Sequence, residues 1–406
     1  MEQLRVSITA KSPLCFSERR PGTQFRESLD YIPGAALRAA VAMPMVQEGE
    51  SAFEDLFTGE HPAIFANAYP AANVLPASAM SCKAASGFCG DEGQKHGVID
   101  TLVERLCFEA LDPAGPLYLP KCCRCKPGMR MERYTAFYNW DGQKGKRASV
   151  KQRLLTRVAI NRRRGTSEDE LLYSPIVISE AARERDGKCR AVSFTGTVTA
   201  SAHERVLQNY LEATTHLGSG TSRGLGRVDI SVEFATQQDE TRKKDLQKRI
   251  ADFNKAIAEF WKLVQEQLAP CSGSPSHNPD KGLYFTIDLY ADAVLKHEGW
   301  LPTALLTAQM LKERCGVQDE TLQLVRAYSA YDYRGGWNLA WGLPKDVDVV
   351  VPMGSVFVFW TEDLQRWGSN LLDLEHWGIG ERTAEGFGQV RICDKFHVLA
   401  TREEPA

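Results

Sequence analysis

No apolar run in this 406-residue chain approaches the ~18–20 residues needed to cross a bilayer, which excludes a helical membrane protein. The polar start, Met1-Glu2-Gln3-Leu4-Arg5, lacks the basic-then-apolar layout of a secretory signal. A strong overall charge is missing too. The 49 Lys and Arg against 52 Asp and Glu leave −3, so no global field announces a polyanionic partner. With 43% hydrophobic and 25% charged residues, the composition is that of a globular protein of two or three domains. The expected compartment is a reducing cytoplasm, where clustered cysteines serve as metal ligands more often than as disulfides.

What is present is a repeat. His216-Leu217-Gly218-Ser219-Gly220-Thr221-Ser222-Arg223-Gly224-Leu225-Gly226-Arg227 runs into Val228–Val232, and Gly378–Gln389, with Arg382 at its centre, runs into Val390–Ile392. Two glycine-rich loops that each feed a strand imply a duplicated architecture. Glycine lets backbone approach a phosphate, and Arg, Ser and Thr supply donors for its oxygens. Gly218, Ser219, Gly220, Thr221, Ser222, Arg223, Gly224 and Arg227 are therefore candidate phosphate contacts. In the second loop Glu381 and Glu385 flank Arg382, so that loop reads equally as a protein contact.

Alternation in Leu4–Ala10 predicts a strand. A polar loop with Arg19, Arg20 and Arg26 follows, then a helix entered at Pro33. Ala191–Val198 predicts another strand and His203–Thr215 a second helix. Apolar steps at Leu246, Ile250, Phe253, Ile257, Trp261, Val264 and Leu268 predict a long amphipathic helix, with a hinge at Cys271–Lys281. Tyr284–Tyr290, Thr303–Cys315, Leu322–Ala340, Val347–Trp360 and Thr361–Trp377 predict strand, helix, two strands and helix before the second loop. The expected fold class is α+β: tandem ferredoxin-like, RRM-like βαββαβ domains with a zinc-binding insertion and a connecting helix. The boundaries are 1–235 (insertion at about 78–135), 236–279 for helix and linker, 280–398, and a tail at 399–406.

Two local features carry chemistry. From Lys121 to Arg164 there are 14 Lys and Arg against the two acids Glu132 and Asp141. Arg157, Arg162, Arg163 and Arg164 extend an electropositive path, and Tyr134, Phe137, Tyr138 and Trp140 are placed to stack on bases. The same segment also reads as a solvated loop. Cys122 and Cys125 have the spacing at which one turn presents two thiolates to zinc. Cys82 with either His96 or Cys89 completes four ligands, and His96 is preferred because Gly97–Asp100 reads as the start of a helix. Cys107 reads as core.

The Tyr31-Ile32-Pro33-Gly34 helix entry with Leu37-Arg38, the two glycine loops, and Arg157–Ile160 with Leu171–Tyr173 resemble the RAMP superfamily of CRISPR-associated proteins. The cysteine-rich insertion is similar to that of two-domain type III-D effector subunits. The resemblance implies an RNA-binding scaffold subunit of an antiviral effector complex that holds the crRNA 5′ handle. It also implies crRNA, backbone RAMP subunits and the large polymerase-like subunit as partners, with target RNA contacted indirectly. Arg38 joins the RNA-binding set on this ground. The alternative is a RAMP endoribonuclease that processes guide RNA or cleaves target RNA. His216 would be its general base, or Asp30 its loop aspartate, although a packed histidine is the commoner fate at such a position.

Overall fold

A computed structural model describes residues 2–17, 25–110, 118–125, 128–142, 144–183, 188–235, 239–268, 281–338 and 342–400. The expected hinge at 271–281, all but its last residue, and the loop carrying Arg19 and Arg20 lie outside them, as does most of the tail. The molecule is mixed α and β, with three four-stranded sheets and several smaller ones.

The N-terminal half contains β1 (Glu2–Ala10), α1 (Gly34–Glu48), β2 (Ile64–Phe65), β3 (Ser193–Ala200), α2 (Glu204–Ala213) and β4 (Val228–Phe234). The strands lie in the order β4-β1-β3-β2, every neighbour antiparallel. Period-two alternation turns Leu4, Val6 and Ile8 of β1 into one fully buried face. Close approach of α1 to the sheet requires Gly34, since a Cβ there would stand 1.8 Å from the Phe65 carbonyl oxygen.

The long helix α3 (Asp239–Leu268) buries Leu246, Ile250, Phe253, Ile257, Trp261 and Val264 in the core of the C-terminal half. Arg249, 4% exposed, locks it there by pairing with Glu375 of the C-terminal half, while Asp245, one turn earlier on the same helix, pairs with the same guanidinium. That half contains β5 (Leu283–Leu289), α4 (Ala308–Cys315), β6 (Gln323–Tyr328), β7 (Val356–Thr361), α5 (Gly368–Trp377) and β8 (Val390–Ile392). Its sheet runs β6-β7-β5-β8, again antiparallel throughout. In each half the first strand lies between the third and the fourth, and the second pairs with the third.

Several element boundaries differ from the sequence reading. The two long strands expected between Leu322 and Trp360 are four. Asp332–Asn338 and Leu343–Val350 form a separate hairpin outside the main sheet. Helix α4 starts only at Ala308, because Thr307 Oγ1 accepts from Met310 N and caps it. Gly97–Asp100 does not open a helix. Val98–Asp100 is a strand, and Asp100 Oδ1 accepts from Leu102 N to start a helix at Leu102–Glu109.

Between β2 and β3 the chain makes a larger excursion than the expected 78–135. It holds two three-stranded sheets (Val98–Asp100, Ala79–Cys82 and Met131–Arg133; Asn73–Val74, Phe137–Trp140 and Gly145–Ala148) and a long hairpin of Arg157–Asn161 with Thr166–Ile178. The C-terminal half carries its own hairpin, Asp332–Val350, at the corresponding place between its second and third strands.

Candidate functional site

The first glycine loop joins α2 to β4. Leu217 N donates to Gly226 O, Ser219 N to Cys15 O, Arg223 N to Gly220 O, Gly224 N to Thr221 O and Gly226 N to Pro13 O. The second loop repeats these five bonds at matching positions. Ile379 N donates to Gly388 O, Glu381 N to Val294 O, Glu385 N to Arg382 O, Gly386 N to Thr383 O and Gly388 N to Asp292 O. A duplication visible in glycine spacing is thus repeated in hydrogen bonding. The pinch explains the closing glycine: a Cβ on Gly226 would meet the Leu217 carbonyl oxygen at 2.4 Å, and φ there is +84°.

These bonds engage the amides of Ser219, Arg223, Gly224, Leu225 and Gly226 inside the protein. The contacts left to offer a ligand are therefore mainly side chains. Thr221, Ser222, Arg223 and Arg227 are exposed, and a Cβ on Gly224 would meet nothing within 4 Å. Arg223 stacks its guanidinium on Tyr173, 5.5 Å from the ring centroid, and donates to the Tyr173 hydroxyl at 3.2 Å. Arg157 Nη1 donates to Arg223 O at 2.7 Å. The fold thus joins the basic hairpin to the loop, bringing together residues far apart in sequence. At the hairpin's tip Arg162, Arg163 and Arg164 are exposed, in a turn held by Asn161 Oδ1, which accepts from the amides of Arg163 and Arg164.

Other expected residues lie elsewhere. Arg382 pairs with Asp348 and Glu385 and lies over Phe387, so its charge is neutralised within the second loop. That loop packs on the N-terminal half, where a Cβ on Gly386 would touch Asn67 and Phe65. Arg38 donates to Phe57 O and stacks on the Phe57 ring, and burial lowers its pKa. The expected packed His216 is exposed, with Nδ1 3.0 Å from the Thr215 hydroxyl. Asp30 accepts from Gln152 Nε2 at 2.7 Å, and its pKa is raised, foremost by desolvation.

The aromatics expected to stack on bases turn inward. Phe137 and Tyr138 are buried, while Tyr134 and Trp140 pack against the core around Phe88 and Phe396. Tyr173 was missed as a stacking residue. Its signal in the sequence was its place in the strand-like Leu171-Leu172-Tyr173 that follows the basic run.

Cys82, His96, Cys122 and Cys125 bring one ligand atom each to within 4.8 Å of one another, a set able to hold a metal ion. Cys82 Sγ lies 3.5 Å from Cys125 Sγ, and His96 Nδ1 lies 3.3 Å from the sulfurs of both Cys122 and Cys125. Cys89 stays outside the cluster and is exposed. The three-stranded sheet arranges the set, with Cys82 ending its central strand, His96 preceding its edge strand and the Cys122–Cys125 turn leading to the third. Burial raises the Cys82 thiol, but the Ala85 and Ala84 amides, with Cys125 and His96, together outweigh it and lower its pKa, while the coupled Cys125 thiol is raised, foremost by desolvation. Amides aimed at a sulfur suit a thiolate bound to a cation. Cys107 is buried against α3, as expected of a core residue.

No helix among the described residues is long and apolar enough to cross a membrane. No family profile matches the chain, and no curated protein matches it in sequence. Among solved structures, it is similar to a chain of the type III-B Cmr-beta complex bound to cognate target RNA and AMPPnP. The TM-score is 0.37 at 9% identity, over 92% of this chain and 88% of that one. A chain of Cmr-beta bound to cognate target RNA gives 0.29 at 10%, over 57% and 96%. A chain of apo Cmr-beta gives 0.29 at 11%, over 58% and 98%. Scores this low do not fix a shared fold.

Proposed function

We propose that this chain is a non-catalytic RNA-binding scaffold subunit of a type III, III-D-like CRISPR effector complex. It holds the crRNA 5′ handle and docks neighbouring subunits in antiviral defence. The carrying observation is the exposed Arg223, braced by half-buried Arg157 and Tyr173, beside an outward-facing glycine loop and continued by exposed Arg162–Arg164 at the hairpin tip. The strand orders and the repeated loop bonding support tandem ferredoxin-like units at 1–235 and 280–398.

In this reading Arg223 and Arg227 neutralise phosphates, and the open side of Gly224 admits the sugar–phosphate chain. Tyr173 holds Arg223 in place rather than leaving it a free rotor, which lowers the entropic cost of contact. The hydrogen bonds shown for the two catalytic candidates assemble no acid–base pair: the neighbour of His216 Nδ1 is a hydroxyl, and Asp30 accepts from the Gln152 amide. The cluster of three cysteines and a histidine has the donor set of a closed, structural zinc site, with Cys82, His96, Cys122 and Cys125 as ligands.

The test is to purify the tagged chain from its native host and sequence the RNA that accompanies it. Fragments with one repeat-derived 5′ end and varied downstream sequence are expected. No RNA, or RNA without a common end, would defeat the handle-binding reading.

A further inference from the structure

The metal-ligand set occupies one end of the sheet formed by Ala79–Cys82, Val98–Asp100 and Met131–Arg133. At the opposite end Ala79 pairs with Asp100, a separation of about 10 Å at ~3.3 Å per strand residue. There Asp100 meets a buried histidine from the far end of the chain. His397 Nδ1 donates to Asp100 Oδ2 at 2.7 Å, and His397 Nε2 donates to Asp288 Oδ1 at 2.8 Å. His397 is 1% exposed, and Asp100 and Asp288 are each 3% exposed.

The surrounding bonds fix both carboxylates. Ser78 Oγ donates to Asp100 Oδ2, while Thr286 Oγ1 and Asp394 N donate to Asp288 Oδ2. Asp100 N donates to Ala400 O at 2.8 Å. Apolar packing crosses in both directions. Leu102, Val103, Leu106 and Cys107 of the excursion sit in the C-terminal core, while Phe396 and Ala400 fill the excursion's core beside Phe88, Val98 and Tyr138.

We propose that this sheet is a strut coupling metal occupancy to the docking of the C-terminal segment Asp394–Ala400. Metal draws together the ends of all three strands and holds Asp100 in register for His397. Without it the edge strand Val98–Asp100 keeps three residue pairs with the central strand and the bonds at its Asp100 end, but nothing clamps its His96 end to the other two strands, and the buried Asp100–His397–Asp288 bridge loses one anchor. An imidazole between two carboxylates is sensitive to such a loss, because removing one partner from a buried charge network leaves the others uncompensated. The inference rests on the cluster being a metal site and is independent of RNA binding.

Coupling is reciprocal, so it is measured from both ends of the strut. Metal content of the full chain is determined first, then hydrogen exchange with and without a chelator. Chelation is expected to speed exchange at 98–102 and 394–400 by about tenfold while β1 and β3 stay unchanged. From the other end, His397→Gln, with Asp100→Asn as a second variant, is expected to speed metal loss to the chelator roughly three- to tenfold. A chain that binds no metal overturns the strut by removing the metal reading itself. With metal bound, faster exchange confined to 82–97 and 121–130, wild-type metal loss in both variants, or simultaneous opening of β1 and β3 overturns the coupling alone.

Discussion

Arg223 and Arg227 are the residues on which RNA binding by this chain is expected to turn. Replacing both with Glu should abolish binding in a filter or anisotropy assay, and unaltered affinity would remove the clamp. Tyr173→Ala keeps the charge but loses the stack, so a weakening of about three- to tenfold is expected. His397 calls for a different measurement. Burial disfavours its charged form, but Asp288 and Asp100 outweigh burial and hold its pKa well above the usual histidine range. A raised pKa means that the folded state binds the proton more tightly than the unfolded one. The contribution is therefore full below the ordinary value near 6.5 and is lost as pH climbs through the folded value. Denaturation midpoints should fall on the alkaline side in the native chain, and His397→Gln should flatten that limb. An unchanged pH profile would contradict the ionic bridge.

The hairpin Arg157–Ile178 and the entry of α1 carry the predictions for elements. Changing Arg162, Arg163 and Arg164 to Ala together leaves the Asn161-capped turn in place. It should lower the slope of log affinity against log salt by about 2 to 3. An unchanged slope would mean that the hairpin tip does not touch phosphate. At Gly34 an alanine has no room beside the Phe65 carbonyl, and chemical denaturation should report a loss of roughly 1–3 kcal/mol. Element types were largely legible because hydrophobic period survives in sequence, as in Leu4–Ala10 and along α3. Boundaries were less so. The segment Leu322–Trp360 read as two strands because nothing local separates a strand of the main sheet from one of a detached hairpin. The helix expected from Gly97 failed for a related reason, since Asp100 caps the next helix rather than belonging to this one.

For the molecule as a whole, the excursion between β2 and β3 is the piece that ties the halves together. Cys125→Ser should abolish stoichiometric metal binding and lower the melting temperature by at least ~5 °C, because the excursion contributes to the C-terminal core. Metal content and calorimetry check this together. A variant that loses metal but melts like the native chain would show the site to be peripheral. The second glycine loop acts at the same scale. Its Arg382 is neutralised by Asp348 and Glu385, and its backbone lies against α1 and β2. One copy of the duplicated loop faces outward, and the other helps to join the two halves.

By itself the sequence determined the repeated glycine loops, the alternating and helical periods, and the Cys122–Cys125 pair, because each is written in local spacing: Gly-x-Gly closures, steps of two or three to four residues, Cys-x-x-Cys. His96, rather than Cys89, clusters with Cys82, Cys122 and Cys125, but the helix given as the reason for preferring it is a strand. Tertiary structure alone decided which glycine loop stays open, that Arg157 and Tyr173 brace Arg223, that the aromatics of 134–140 turn inward, and that His397 sits between Asp100 and Asp288. Those outcomes depend on contacts between residues far apart in sequence, 297 positions in the case of Asp100 and His397. Such pairings follow from how sheets and cores close in space, and no local pattern of side chains encodes them.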